Sequence, residues 1–223
     1  MIYILIIMLK AEKIVKRYGD LEILKGVSLD VKSGEIISIV GSSGAGKTSL
    51  LQILGTLDRP DGGSLSIDDI NPFNLSSRAI SKFRNQHIGF VFQFHQLLPE
   101  FDAKENVMIP AMIGGLGKIQ AQEKALRLIE MVGLQDRINH RPNELSGGEQ
   151  QRIAVCRALI NNPNVILADE PSGNLDSKNA NELHELFFKL REELKQTFVI
   201  VTHNSELAKQ ADRKLEMKDG LIV

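Results

Sequence analysis

The chain has a single cysteine, Cys156, so no intrachain disulfide can form. A reducing compartment agrees with that. No apolar run approaches the roughly 20 residues that a membrane-crossing helix needs. The candidate stretch, Ile2 to Leu9, also lacks the basic start and small-residue cleavage site of a secretory leader. Charge of one sign is missing too. Lys and Arg number 27 against 28 Asp and Glu, for a net charge of -1, which removes the electrostatic case for a nucleic-acid partner. There is no internal repeat, low-complexity tract or long coiled coil. With 43% apolar and 25% charged residues over 223 positions, the expectation is one α/β domain with a smaller insertion. Cys156 falls in an apolar helical stretch and reads as core.

What is present is a phosphate-binding pattern. The run Ile36-Ile37-Ser38-Ile39-Val40 reads as a buried strand. It is followed by Gly41-Ser42-Ser43-Gly44-Ala45-Gly46-Lys47-Thr48, and Thr48 to Leu54 reads as a helix. Strand, glycine-rich turn and helix are the setting the P-loop requires. Glycines at 41, 44 and 46 open backbone angles closed to other residues. Successive N–H groups can then surround phosphate oxygens at a helix N-terminus. In this pattern Lys47 reaches the outer phosphates of ATP and Thr48 holds Mg²⁺.

Two further strands end in chemistry. Asn164 to Ala168 is apolar and leads into Asp169-Glu170. Ligands of open α/β sheets bind outside the carboxyl ends of strands. Asp169 there can hold Mg²⁺ through water, and Glu170 can orient or deprotonate an attacking water. The plainer alternative is an acidic pair capping a strand end. Thr197 to Thr202 is the other strand, with His203 directly after it. His203 is expected to contact the γ-phosphate; otherwise it is structural. His87, His95, His140 and His184 are given no catalytic role, and His184 is taken as a polar surface residue of a helix.

A second signature, Leu145-Ser146-Gly147-Gly148-Glu149, lies outside the generic P-loop pattern. In order, the P-loop, Gln93, this signature, Asp169-Glu170 and His203 resemble the ATP-binding-cassette (ABC) ATPases, from about Leu9 to Val223. The resemblance implies a P-loop NTPase (RecA-like) α/β core. It adds an antiparallel β subdomain and an inserted α-helical subdomain carrying the ABC signature. The core is expected over 9–93 and 162–223, with the helical part over about 94–161. Residues 1–8 precede it as a non-native or disordered extension, a membrane-surface anchor being the competing reading.

The resemblance also assigns roles. Tyr18 would stack on adenine, and Ser49 completes the P-loop set that holds the nucleotide. Gln93 would sense Mg²⁺, take part in catalysis with Lys47, Glu170 and His203, and contact a transmembrane partner. Ser146, Gly147, Gly148 and Glu149 would bind ATP held by a second copy of the chain. Ser172 to Asp176 would couple the two sites. Without the resemblance, Tyr18 reads as an ordinary half-buried aromatic and Ser146 as a helix N-cap. One P-loop and one signature facing different ways can be satisfied only across a two-fold dimer.

A narrower likeness rests on Phe94 to Phe101, Glu105-Asn106-Val107, His140-Arg141-Pro142 and Ala168 to Asp176. These resemble ATPase subunits of bacterial lipoprotein-releasing transporters, a group that also serves macrolide or peptide export and cell division. The implied partners are separate permease subunits, at the cytoplasmic face of the inner membrane. Ser172 and Asn204 depart from commoner family residues and are treated as neutral. Soluble cassette proteins of translation or DNA repair would need a second cassette or a long coiled coil. A purely regulatory nucleotide binder would not need Glu170 and His203.

Elsewhere, residues 9 to 33 read as antiparallel strands and Ser64 to Ile67 as another. Ala125, Leu128, Ile129 and Val132 have helical spacing with a stop at Gly133. Leu183, Leu186, Phe187, Leu190 and Leu194 form an apolar stripe facing the sheet.

Overall fold

A computed structural model describes residues 7–223. In chain order the elements are β1 (Ile7–Tyr18), β2 (Leu21–Lys32), β3 (Ile36–Val40), α1 (Lys47–Leu54) and β4 (Gly62–Ile67). Then come α2 (Ser77–His87), β5 (Ile88–Phe92), α3 (Ala103–Ile113), α4 (Lys118–Met131) and α5 (Gly147–Leu159). The chain finishes with β6 (Val165–Asp169), α6 (Ser177–Leu194), β7 (Thr197–Val201), α7 (Ser205–Gln210), β8 (Arg213–Lys218) and β9 (Leu221–Ile222).

The main sheet has the order β5-β6-β7-β3-β8-β9, parallel except for the β8–β9 pair. Strands β3, β6 and β7 are buried almost end to end. Helices cover both faces of a parallel sheet, so its strands read as unbroken apolar runs. One core cluster lies on the α1 side and takes in Leu50, Ile53 and Leu54; the other holds Leu183, Phe187 and Leu190 of α6. A second sheet, β2-β1-β4, is antiparallel and matches the expected β subdomain. Helices α3, α4 and α5 pack around a third cluster that includes Ala125, Ile129 and the fully buried Cys156. The Cys156 thiol donates to Leu128 O at 3.3 Å, and burial pushes its pKa up.

Several expectations change. The extension expected over residues 1–8 is not wholly outside the fold: Ile7 and Met8 belong to β1, and Met8 is buried. Residues 1–6 lie outside the described residues. Helix does not begin at Phe94; 94–102 is irregular and α3 starts at Ala103, capped by Asp102 and Glu105. Helix α2 is additional to the expected elements and buries only Phe83. Leu194, at the end of α6, is exposed and not part of the stripe. No helix among the described residues is long and apolar enough to cross a membrane.

Candidate active site

Parallel register builds the site. Asp169 pairs with Val201 on one side and Phe92 on the other, while Ile39 pairs with Val201. The residues that follow these positions therefore leave the sheet together at its carboxyl edge. They are Gly41 onward, Gln93, Glu170 and His203.

At the turn into α1, Gly46 is the N-cap with φ +99°, and a Cβ there would lie 2.9 Å from Leu24 Cδ2. Only glycine accepts that backbone at little cost. No side chain caps α1, so its first N–H groups remain available to an anion. Lys47 folds back over the loop. Its Nζ donates to Gly41 O at 2.9 Å and Ser42 O at 3.0 Å, and the residue is only 9% exposed. The ammonium is thus held against the loop's own carbonyls.

Glu170 has φ +46°, a left-handed backbone uncommon for its type. The main chain fixes it, because Glu170 N–H donates to Val201 O at 2.9 Å and Gly173 N–H donates to Glu170 O at 3.0 Å. His203 Nδ1 lies 2.8 Å from Glu170 Oε1, and the His203 main-chain N–H donates to Oε2 at 3.2 Å. Burial raises the Glu170 pKa, opposed by the His203 N–H and by the charges of His203 and Lys47. Burial likewise raises Asp169, against its bond from Thr48 and the charge of Lys47.

Thr48 Oγ1 donates to Asp169 Oδ1 at 3.5 Å, joining α1 to the end of β6. These are hard oxygen donors, one neutral and one anionic, of the kind Mg²⁺ accepts while keeping several waters. Among the described residues no group of three or more His, Cys, Asp or Glu could hold a metal alone. The donor set therefore fits an ion shared with phosphate and water, not a closed protein cage.

A cavity of about 320 Å³ collects Ser43, Gly44, Gly46, Lys47, Thr48, Ser49, Glu170 and His203, with Ile23 and Val201 as apolar lining. Not every expected residue joins them. The Gln93 carboxamide is turned to Asn174 and does not line this cavity. Tyr18 is half exposed; its hydroxyl donates to Asp58 Oδ2 at 2.8 Å, while Lys16 Nζ lies 2.7 Å from Asp58 Oδ1. Hydrogen bonds from Lys16 and Tyr18 hold the Asp58 carboxyl below its usual pKa despite burial, which acts the other way.

The signature opens α5. Ser146 Oγ accepts from Glu149 N–H at 3.3 Å, and Ser146 N–H donates to Glu149 Oε2 at 2.8 Å. This reciprocal cap satisfies the N-cap reading of Ser146. Arg137 Nε donates to the other Glu149 oxygen at 2.9 Å. Both Glu149 oxygens are engaged within the chain, by Ser146 N–H and by Arg137 Nε, so Glu149 caps the start of α5. Gly148 is needed where α5 meets α6, because a Cβ there would collide with the Asn179 side chain. None of Ser146 to Glu149 lines the P-loop cavity.

Some of the residues that shape the site carried no sequence signal of that role. His184 is buried, not a surface residue, and its Nε2 lies 3.0 Å from Ser172 Oγ. The Ser172 hydroxyl therefore has a buried partner. Asn204 caps α7, accepting from Glu206 and Leu207 N–H. Buried Asn106 accepts from Leu98 N–H and donates to the carbonyls of Leu98, Phe101 and Asp102. Arg157 donates to His95 O and Gln96 O. Only a residue-type cue, an Asn or Arg amid apolar helix positions, could have flagged the last two.

Sheet order, P-loop, carboxylate pair and inserted helices together define a nucleotide-binding cassette of the P-loop class. The ABC transporter family model matches residues 24–173, and the chain belongs to that family. It is 60% identical to the lipoprotein-releasing system ATP-binding protein LolD of Bacteroides thetaiotaomicron, across 96% of this chain and 99% of that one. The LolD protein of Cytophaga hutchinsonii is 57% identical across 96% and 98%. Among solved structures, the dimeric bacterial ABC transporter cassette MJ0796 is 41% identical with a TM-score of 0.88, covering 96% of each chain. Its dimeric post-hydrolysis state bound to ADP and Pi is 40% identical with a TM-score of 0.87.

Proposed function

We propose that this chain is the ATP-hydrolysing subunit of a lipoprotein-releasing ABC transporter. The observation that carries the ATPase reading is the meeting of Lys47, Thr48, Glu170 and His203 in one cavity, with Asp169 beside Thr48. The N–H groups of the P-loop and the Lys47 ammonium bind the phosphates. Thr48 and Asp169, with Gln93, are the residues for Mg²⁺, which when bound neutralises charge on the phosphates. Glu170 accepts the proton of the attacking water, and His203 orients the Glu170 carboxylate and faces the γ-phosphate. Tyr18 stacks on the adenine.

The signature at Ser146 to Gly148 stands outside the cavity and presents a capped helix start. A second copy of the chain brings this element over the nucleotide, in keeping with the dimeric state of MJ0796. Separate permease subunits dock near Phe94 to Phe101. Supporting that site, Phe94 is 71% exposed, and Ile113, 73% exposed, lines with Phe92 and Gln96 a cleft of about 380 Å³ between α2, β5, α3 and α5. The lipoprotein cargo and the place at the cytoplasmic face of the inner membrane rest on the names and high identity of the LolD relatives.

The test is reconstitution. The chain should co-purify from detergent-solubilised membranes with permease subunits, and ATP should then drive release of a lipoprotein from proteoliposomes. Release of a drug or peptide in place of lipoprotein would move the chain to the related export group.

A further inference from the structure

Gln93 and Asn174 are bound to each other twice. Asn174 Nδ2 donates to the main-chain carbonyl of Gln93 at 3.3 Å, and Gln93 Nε2 donates to Asn174 Oδ1 at 3.0 Å. The order of these bonds has a chemical consequence. A main-chain carbonyl can only accept, so the Asn174 end facing it must be the NH₂. The other end, Oδ1, can also only accept, so the Gln93 end facing it must be its NH₂. Gln93 Oε1 is left pointing away, and it accepts no hydrogen bond from the described residues. We propose that Asn174 is a positioning residue that fixes the amide orientation of Gln93 so that its oxygen, not its nitrogen, is offered to the magnesium ion.

The surroundings make this a built arrangement. A Cβ on Gly173 would come 3.0 Å from Gln93 Nε2 and 3.2 Å from its Cδ, so the carboxamide lies close against the chain at that glycine. Gly173 N–H is tied to Glu170 O, and Leu175 N–H to Ser172 O. On the other side His184 holds Ser172. The segment from Glu170 to Leu175 is therefore fixed at both ends, and Asn174 is held at a defined place. An alanine at 174 would let the Gln93 amide flip, presenting an NH₂ donor that a cation repels. The inference rests on the reading of Gln93 as a magnesium-facing residue.

The experiment measures binding, not turnover. The Kd of a non-hydrolysable ATP analogue is measured by calorimetry with magnesium and in EDTA, for wild type, Asn174→Ala, Asn174→Ser, Gln93→Ala and the Gln93→Ala/Asn174→Ala double variant. The gain in affinity on adding magnesium should fall ~5-fold in Asn174→Ala, the weight of about one neutral hydrogen bond. Affinity in EDTA should not move, which also shows that the variant is folded; Asn174→Ser serves if Asn174→Ala is not. Asn174→Ala should add nothing in the Gln93→Ala background. An intact magnesium gain in Asn174→Ala, beside a lost one in Gln93→Ala, overturns the inference alone. An intact gain in Gln93→Ala overturns the underlying reading. An Asn174→Ala effect that persists without Gln93 overturns the positioning route.

Discussion

The carboxylate of Glu170 is held at both oxygens by one residue, His203: side-chain Nδ1 stands 2.8 Å from Oε1, and the main-chain N–H reaches Oε2 at 3.2 Å. A carboxylate only accepts, so Nδ1 carries the proton and Nε2 faces outward. The left-handed backbone of Glu170 and the strand register of β6 and β7 hold the pair in place. A base in a fixed orientation can act without reorganising at the moment of reaction.

Glu170→Gln should therefore lower steady-state phosphate release by ~10²–10⁴-fold, the usual weight of a positioned general base. Nucleotide binding should survive, and size-exclusion chromatography with ATP should show an accumulated dimer. Turnover at the wild-type rate would remove Glu170 from the mechanism.

Tyr18→Ala should weaken ATP binding ~10-fold, because stacking of one base on an aromatic ring is worth ~1–3 kcal/mol. The rate constant at saturation should hold. Asp58→Ala should lose less, since the ring remains while its hydroxyl tether and the Lys16 partner go. Titration with a fluorescent ATP analogue separates the two effects.

Glu149 supplies a pH-dependent part of the stability. The Ser146 N–H and hydroxyl, with the Arg137 guanidinium, hold its pKa below the usual value against burial. A depressed folded-state pKa means stability that is present above the unfolded value of about 4.3 and lost as pH falls through the folded one. Glu149→Ala should cost ~1 kcal/mol at pH 7, the weight of a cap, the partly exposed Arg137 pair adding little after solvent screening. Wild type and variant should converge only once the pH has fallen below the depressed folded-state pKa. Denaturant titrations across pH would show this; a gap that stays constant into acid would refute it.

Asn106 organises the segment ahead of α3 by bonding Leu98, Phe101 and Asp102. Asn106→Leu should cost at least ~2 kcal/mol by leaving buried main-chain groups unpaired. Amide exchange should quicken across 98–102. Basal phosphate release should persist while coupling to permease subunits falls. Undisturbed exchange in that segment would show that other contacts hold it.

The parts legible in sequence were those carried by local pattern. Ile36 to Val40 is apolar on both faces because it lies in the middle of a covered parallel sheet, and Gly46 is glycine because φ there is positive. Both facts are written at the residue itself. His184 was misjudged for the opposite reason: one polar residue on a helix looks the same whether it faces water or Ser172. Leu194 shows the same limit, since its exposure depends on what packs against the end of α6.

The sequence by itself therefore determined the chemistry: a loop for phosphates, a carboxylate pair at a strand end, a histidine after another strand, and the order that marks the family. Tertiary structure alone decided which of these groups touch. Strand register across β5, β6, β7 and β3 brings Lys47, Glu170 and His203 to one cavity, while Gln93 is turned to Asn174 and the signature is kept apart. The reason is physical: motifs follow from bond geometry and propensity within a few residues, whereas contact across the sheet follows from hydrogen-bond register and close packing among segments far apart in the chain.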